Sequence, residues 1–326
     1  MRKRIPRIRR WEYVHCVLDT AHKNGDLDDL EKCLIDMKYE FERQKSIAIG
    51  RGSPRKKGLA KVGELMRDSV TLATHLELIE DGEALKLTKM GEKVANLEIA
   101  SSEYLCLILP HLVAQYNPIF ALLDTLYTIP KKEIRVPELR DIKEFHKYSE
   151  TQGLYIGQTD YMIARDLLGQ LGVVNWLLYE EDGKRFSRVY LTSDFFEVKP
   201  SQLEEEAVIC VVAKEKEFWI SRRRISLMEF IPVLWDEYIE LAKGISLRPV
   251  FYSHLRDAVC YLLRIGDHVF DIFMKELLAD QDIENFSIFG SGGSIPYSKH
   301  SSSVLKSLPL KFTSGRYIVY IKMEEC

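Results

Sequence analysis

Four cations crowd one short stretch, Gly50–Lys57 with sequence GRGSPRKK: Arg51, Arg55, Lys56 and Lys57, with Lys61 about a turn further on. Ser53 followed by Pro54 reads as an N-cap and first helical position. The free N–H groups of a helix start, flanked by cations, hold phosphate well, and the same residues also suit a solvated loop. A second group, Lys184, Arg185 and Arg188, follows the turn Glu181-Asp182-Gly183 and places cations on a hairpin, which suits phosphate contact. Glu197-Val198-Lys199 has the spacing of half of a metal-dependent nuclease core, with Asp182 or Asp194 as the partner carboxylate, although such triplets arise freely by chance. Gly290-Ser291-Gly292-Gly293 lacks the GK[ST] end of a phosphate-binding loop and reads as a flexible loop. The eight histidines are dispersed, with no HExxH and no GxSxG. No catalytic residue, metal ligand or cofactor is assigned.

Charge sets where a polyanion can bind. The net charge of the 326 residues is only -3, which gives no global case for nucleic acid. Residues 1–61 carry 16 lysines and arginines against 9 acids, about +7, so the remainder is acidic by about ten. The six cysteines form no CxxC pair and no zinc-finger spacing with histidine, which fits small apolar thiols in a reducing cytosol. Residues 1–10 are basic but lack the apolar run of a secretory signal. The longest apolar stretch, Tyr104–Leu126, is broken by Pro110, His111, Gln115, Asn117, Pro118 and Asp124, so it reads as buried helices rather than a membrane span. The expected setting is cytoplasmic, at the nucleoid in a prokaryote.

The elements that would position the cations follow from hydrophobic period. Trp11, Val14, Val17 and Leu18, then Leu27, Leu30, Leu34, Met37 and Phe41, recur at helical spacing on either side of Asn24-Gly25-Asp26. The six cations of Met1–Arg10 either reach along a phosphate backbone as a flexible arm or form a solvated terminus. Leu59, Val62, Leu65 and Met66 predict one helix, and Val70, Leu72, Ala73, Leu76 and Ile79 another, with a break at Asp68-Ser69. Asp81-Gly82 is a hairpin turn, and Thr88 a cap for the helix after it. Further on, Tyr161, Ile163, Ala164, Leu167, Leu168 and Leu171 predict a helix ended by Gly172, then strands over Val173–Tyr179 and Arg185–Thr192. PSQLEEE, Pro200–Glu206, reads as a linker, and VICVVA, Val208–Ala213, as a buried strand. Helices are predicted over Leu227–Ala242, Val250–Leu263 and Asp267–Ala279, and a last strand over Arg316–Lys322.

The segment LTKMGEKV, Leu87–Val94, resembles the LTxxGxxV/L ending of winged helix-turn-helix domains, and the layout near Gly172 and Leu191 repeats it. The resemblance implies a mainly α fold with small β-hairpin wings (α+β), built as tandem winged-helix domains: 1–100 with the basic arm and first unit, 101–200 the second, 201–326 the third. Similar multi-winged subunits occur in transcription machinery and in prokaryotic restriction or defence complexes. The expected function is non-catalytic binding of double-stranded DNA within a larger complex. A protein-interaction scaffold and a metal-dependent nuclease subunit stand as alternatives. In a helix-turn-helix the second helix reads base edges with its first residues. The outward positions would be Ser69, Thr71, Thr74 and His75 in the first unit, and Gln158, Thr159, Tyr161 and Arg165 in the second, with Asp160 opposing. In the third they would be Asp267, Asp271, Glu276 and Asp280, an acidic face better suited to protein subunits.

Overall fold

The computed structural model describes residues 4–48, 62–82, 84–99, 101–128, 138–139, 142–151, 156–181, 184–196, 208–213, 216–279, 286–291, 318 and 320–325. These hold eleven helices and three small three-stranded sheets. The chain is mainly α with small β elements, as the hydrophobic periods predict. Its contacts divide it into two compact units. Unit 1 comprises residues 1–40, 55–174 and 189–222, and unit 2 comprises residues 41–54, 175–188 and 223–326.

The described N-terminal segment of unit 1 packs from Ile5 onward. Ile5 and Ile8 are buried, and so are Trp11, Val14, Val17 and Leu18 along α1, Trp11–His22. The described part of the N-terminal segment is therefore docked rather than free to follow a phosphate backbone. At the turn that follows, Asn24 takes φ +54° and the Asp26 carboxylate accepts from the amides of Asp28 and Asp29, at 2.9 and 3.0 Å. That caps α2, Leu27–Ala48. The expected break at Asp68-Ser69 is absent: α3 runs unbroken over Gly63–His75. Ser69 is buried and its hydroxyl donates to the Leu65 carbonyl one turn back, at 2.7 Å, so the residue satisfies itself inside the helix instead of capping a new one.

A minimal hairpin follows α3. Ile79 and Leu87 form an antiparallel bridge, and the Glu80 amide donates to the Lys86 carbonyl at 2.8 Å. Thr88 then caps α4, Lys89–Ala95, by accepting from the Gly91 amide at 3.0 Å. Gly91 is buried against the backbone of Leu78, where a Cβ would overlap the carbonyl oxygen and stand 2.8 Å from its carbon. The Thr and the Gly of LTKMG thus have separate tasks. One starts the helix and the other lets it lie on the hairpin.

Next come α5, Ser102–Gln115, capped by Ser101, and α6, Asn117–Thr128. They are bent by 103° at Tyr116, and among the described residues no single helix is long and apolar enough to cross a membrane. The ring of His15 stacks on Tyr104, which α5 contributes, with centroids 5.5 Å apart. Burial holds the His15 pKa below its ordinary value of 6.5. The unfolded chain therefore takes up that proton first, so this contribution to stability is complete above about pH 6.5 and is lost as pH falls below it. Urea midpoints measured from pH 7.5 to 5 should fall toward the acid end. In His15→Phe, which keeps the stack, the slope should flatten.

The order then reads β1 (Glu138–Leu139), α7 (Ile142–Thr151), α8 (Gln158–Gln170), β2 (Val174–Glu181) and β3 (Lys184–Leu191), with β3 lying between β1 and β2. Gly172 ends α8 at φ +67°, as expected of a glycine after the C-cap. The two strands flanking Asp182-Gly183 are also as expected. Residues 175–188 of this hairpin group with unit 2. A second sheet has the order β4-β6-β5, from β4 (Ser193–Phe196), β5 (Val208–Ala213) and β6 (Lys216–Arg222). It groups with unit 1, so the units divide after Arg222 and not at the linker before residue 207.

Unit 2 has one apolar core. Phe230, Leu234 and Tyr238 come from α9, Leu227–Leu241, and Leu255 and Val259 from α10, Tyr252–Leu263. Phe270 and Met274 come from α11, Asp267–Ala279. Ile321 and Met323 complete it from β9, Tyr320–Glu325. The helix expected from Val250 starts at Tyr252, because Val250–Phe251 forms a short strand, β7, on β9. β9 lies between β7 and β8, Phe286–Ser291. Gly290 and Ser291, expected in a loop, are paired with Ile321 and Tyr320.

Candidate nucleic-acid interface

Three helices precede a hairpin or strand pair and share one place in the chain order: α3, α8 and α11. What each leaves on its surface decides what it can touch.

The long face of α8 is spent inside unit 1. Tyr161, Ile163, Ala164, Arg165, Leu167 and Leu168 are buried. The N-terminal segment lies along the same helix. The Trp11 indole donates to the Leu167 carbonyl at 3.0 Å, and the Trp11 amide donates to the Gln170 side chain at 2.9 Å. Gln170 in turn donates to the Arg9 carbonyl at 2.6 Å, and the Arg9 guanidinium stands 3.5 Å from Asp166. Arg165, expected to face a duplex, is 7% exposed and forks onto Asp166 at 2.9 and 2.7 Å. This is a correction: the cation serves its own helix, and Tyr161 is likewise in the core. Gln158 and Thr159 are exposed, in the first turn only.

Two acids of α11, Asp267 and Asp271, are also engaged internally. Arg256 is fully buried on α10, 3.7 Å from Asp267 and 3.5 Å from Asp271, and it lies 5.6 Å from the Tyr252 ring centre. Tyr252 donates to Asp271 at 2.6 Å, and Asn175 donates to Asp267 at 2.9 Å and to the Ile265 carbonyl at 3.0 Å. Burial opposes the guanidinium's charge, and the two carboxylates outweigh it and hold its pKa above the ordinary range. The acidic face expected of this helix is therefore half of a buried ion network. Its exposed residues include Ile272, Lys275 and Glu276. Asp280 lies outside the described residues.

α3 carries an exposed cation, Arg67, within its helix. Leu72 and Ala73 pack inward with Ser69. Glu64 and Arg67 are exposed and Thr71 is half-buried. Ser69 is thus withdrawn from any reading role, a second correction. Thr74 donates to the Val70 carbonyl at 3.0 Å, and a His75 ring nitrogen meets the Tyr116 hydroxyl at 2.7 Å, so both already have partners. The hairpin after α3 exposes Glu80, Asp81 and Lys86, with Lys86 paired to Glu80 at 2.9 Å. Its tip is a poor match for phosphate.

The cations Arg51, Arg55, Lys56, Lys57 and Lys61 lie outside the described residues, immediately before α3 in the sequence. Lys184, Arg185 and Arg188 lie on β3, and Arg188 is half-buried. Glu197, Lys199 and Asp182 lie outside the described residues too, and among the described ones no three acidic, histidine or cysteine side chains gather as a metal site. A small apolar cleft lies between α5, α6, β5 and β6, with Asp124 as the carboxylate in its lining.

Two features escape sequence reasoning. The clamp of Arg9 and Trp11 on α8 joins residues 156 to 161 positions apart, and Asn175 reaches Asp267 across 92. Neither leaves a local pattern. No protein family, no curated protein and no solved structure matches the chain.

Proposed function

We propose that the chain is a non-catalytic protein of tandem winged helices that grips the backbone of double-stranded DNA through its first module and docks protein subunits through its last. The winged-helix reading is supported by a recurrence. The order helix, short strand, helix, helix, strand, strand appears at α6 to β3 and again at α9 to β9. Each time the short strand lies on the final one.

One observation carries the DNA reading. Of the three helices in the reading position, α8 and the acids Asp267 and Asp271 of α11 are engaged internally, whereas α3 keeps Arg67 outward, with Thr71 half-buried, and follows directly on the five-cation run. With an acidic hairpin tip, the contact is to phosphate and comes from the segment ahead of the helix. Neutralising Arg55, Lys56 and Lys57 together should weaken binding to a mixed-sequence duplex and reduce the slope of log affinity against log salt by roughly 2.7, about 0.9 per contact. Gln158→Ala with Thr159→Ala should leave both unchanged. Anisotropy titrations across a salt series measure this, and an unaltered slope in the triple variant would sink the reading.

A second reading, an interaction scaffold, is favoured by the surface of unit 2. Met228 is 85% exposed, Ile272 56%, Ile245 55% and Phe289 47%. Apolar side chains of that size in water are common at protein-docking faces. Retention of a partner with no duplex bound at low salt would favour it over the first.

A further inference from the structure

We propose that Cys16 and Cys33 are a redox-active dithiol, closed to a disulfide by exchange with a small-molecule disulfide of the glutathione class. Their sulfur atoms lie 2.6 Å apart, nearer than two unbonded sulfurs usually approach and beyond the roughly 2.05 Å of a bond. Both thiols are free.

The framework around them is built to hold that approach. Cys16 is buried on the inner face of α1 and Cys33 is half-buried on α2. The intervening turn is pinned by the Gly25 amide donating to the Thr20 carbonyl at 2.9 Å and by the Asp26 cap on α2. Thr20 also donates to the Cys16 carbonyl at 2.8 Å, which ties down the cysteine's own turn. The two thiols are unequal. The hydrogen bond shared by the two sulfurs holds the Cys33 thiol below its ordinary range, with Lys23 helping, while the same bond and burial push Cys16 up. Burial also raises Cys106 and Cys210, which makes them poorer nucleophiles.

Exposure assigns the steps, because a dissolved disulfide can reach the half-buried Cys33 and not the buried Cys16. The Cys33 thiolate attacks one sulfur of oxidised glutathione, the S–S bond breaks, and one glutathione leaves as thiolate and takes up the proton. Cys16, losing its proton to solvent, then attacks the Cys33 sulfur of the mixed disulfide and expels the second glutathione, which is protonated in turn. Two protein thiols are oxidised by two electrons, and one disulfide is reduced to two thiols. The new bond staples α1 to α2.

The test uses the full chain, equilibrated in buffers from wholly reduced to wholly oxidised glutathione, trapped with an alkylating agent and read by peptide mass spectrometry. The wild type should pass to a Cys16–Cys33 cross-link without accumulating a glutathione adduct. Cys16→Ser should instead accumulate the adduct on Cys33, and Cys33→Ser should leave Cys16 unmodified. Oxidation should raise the wild-type melting midpoint by about 5 °C, reversibly, and neither variant's. A stable adduct on wild-type Cys33, a cross-link that joins other cysteines, or two alkylated thiols at the oxidised end would each overturn the proposal.

Discussion

Gly91→Ala should cost the first module about 3 kcal/mol, the upper end of what an extra methyl costs a packed site. The added carbon would overlap the Leu78 carbonyl oxygen, and the obstruction is backbone, not a side chain that can rotate away. Relief requires α4 to lift from the hairpin. That movement also breaks the Gly91–Thr88 cap and threatens the Thr88 amide's bond to the Leu78 carbonyl, 3.0 Å long. A urea titration of the purified chain should show an early transition in the variant, with unit 2 melting near its usual midpoint. Thr88→Ala removes the cap alone and should cost about 1 kcal/mol. Equal losses in the two variants would show that Gly91 is not sterically required.

Arg256→Met should destabilise unit 2 by about 3–5 kcal/mol. The substitution leaves the volume of the side chain broadly in place and removes its charge, so the effect reports electrostatics more than packing. Asp267 and Asp271 would then lose the guanidinium that both face, and the donors Tyr252 and Asn175 that remain to them are neutral. Adding Asp271→Asn to Arg256→Met should recover part of the loss, since it takes away one of the two carboxylate charges that the guanidinium balanced. Thermal melts of the four members of this cycle decide the matter. Full additivity, with no recovery in the double variant, would mean that the guanidinium and the carboxylate act independently.

What was legible in the sequence was local. Thr88, Gly91 and Gly172 announce themselves because a cap, a close backbone approach and a positive φ each demand particular residue types within a few positions. Most of the helices and the pair β2 and β3 were legible for the same reason, whereas α7, β4, β6 and β8 were not. Strands β1 and β7 were not, being two residues long and too short to show a period. Polar residues were the least legible. Ser69 and Arg165 look like surface residues by type, and their burial depends on how neighbouring helices and residues 9–11 pack around them. Asp267 and Asp271 read as an acidic face until Arg256, on the preceding helix, is set beside them. The cationic run at 51–61 remains legible from sequence alone.

The clamp of Arg9 and Trp11 on α8 has a consequence for synthesis. Residues 9–11 find their partners at Leu167 and Gln170, so Trp11 has no indole acceptor until 156 further residues have been made. Contacts of such span are slow to form and leave apolar surface waiting. A chain stopped near residue 100 would keep α1 to α4 yet leave Trp11 without its indole acceptor. Unit 1 is therefore bound to fold late and as a whole, its beginning fastened only once its middle arrives.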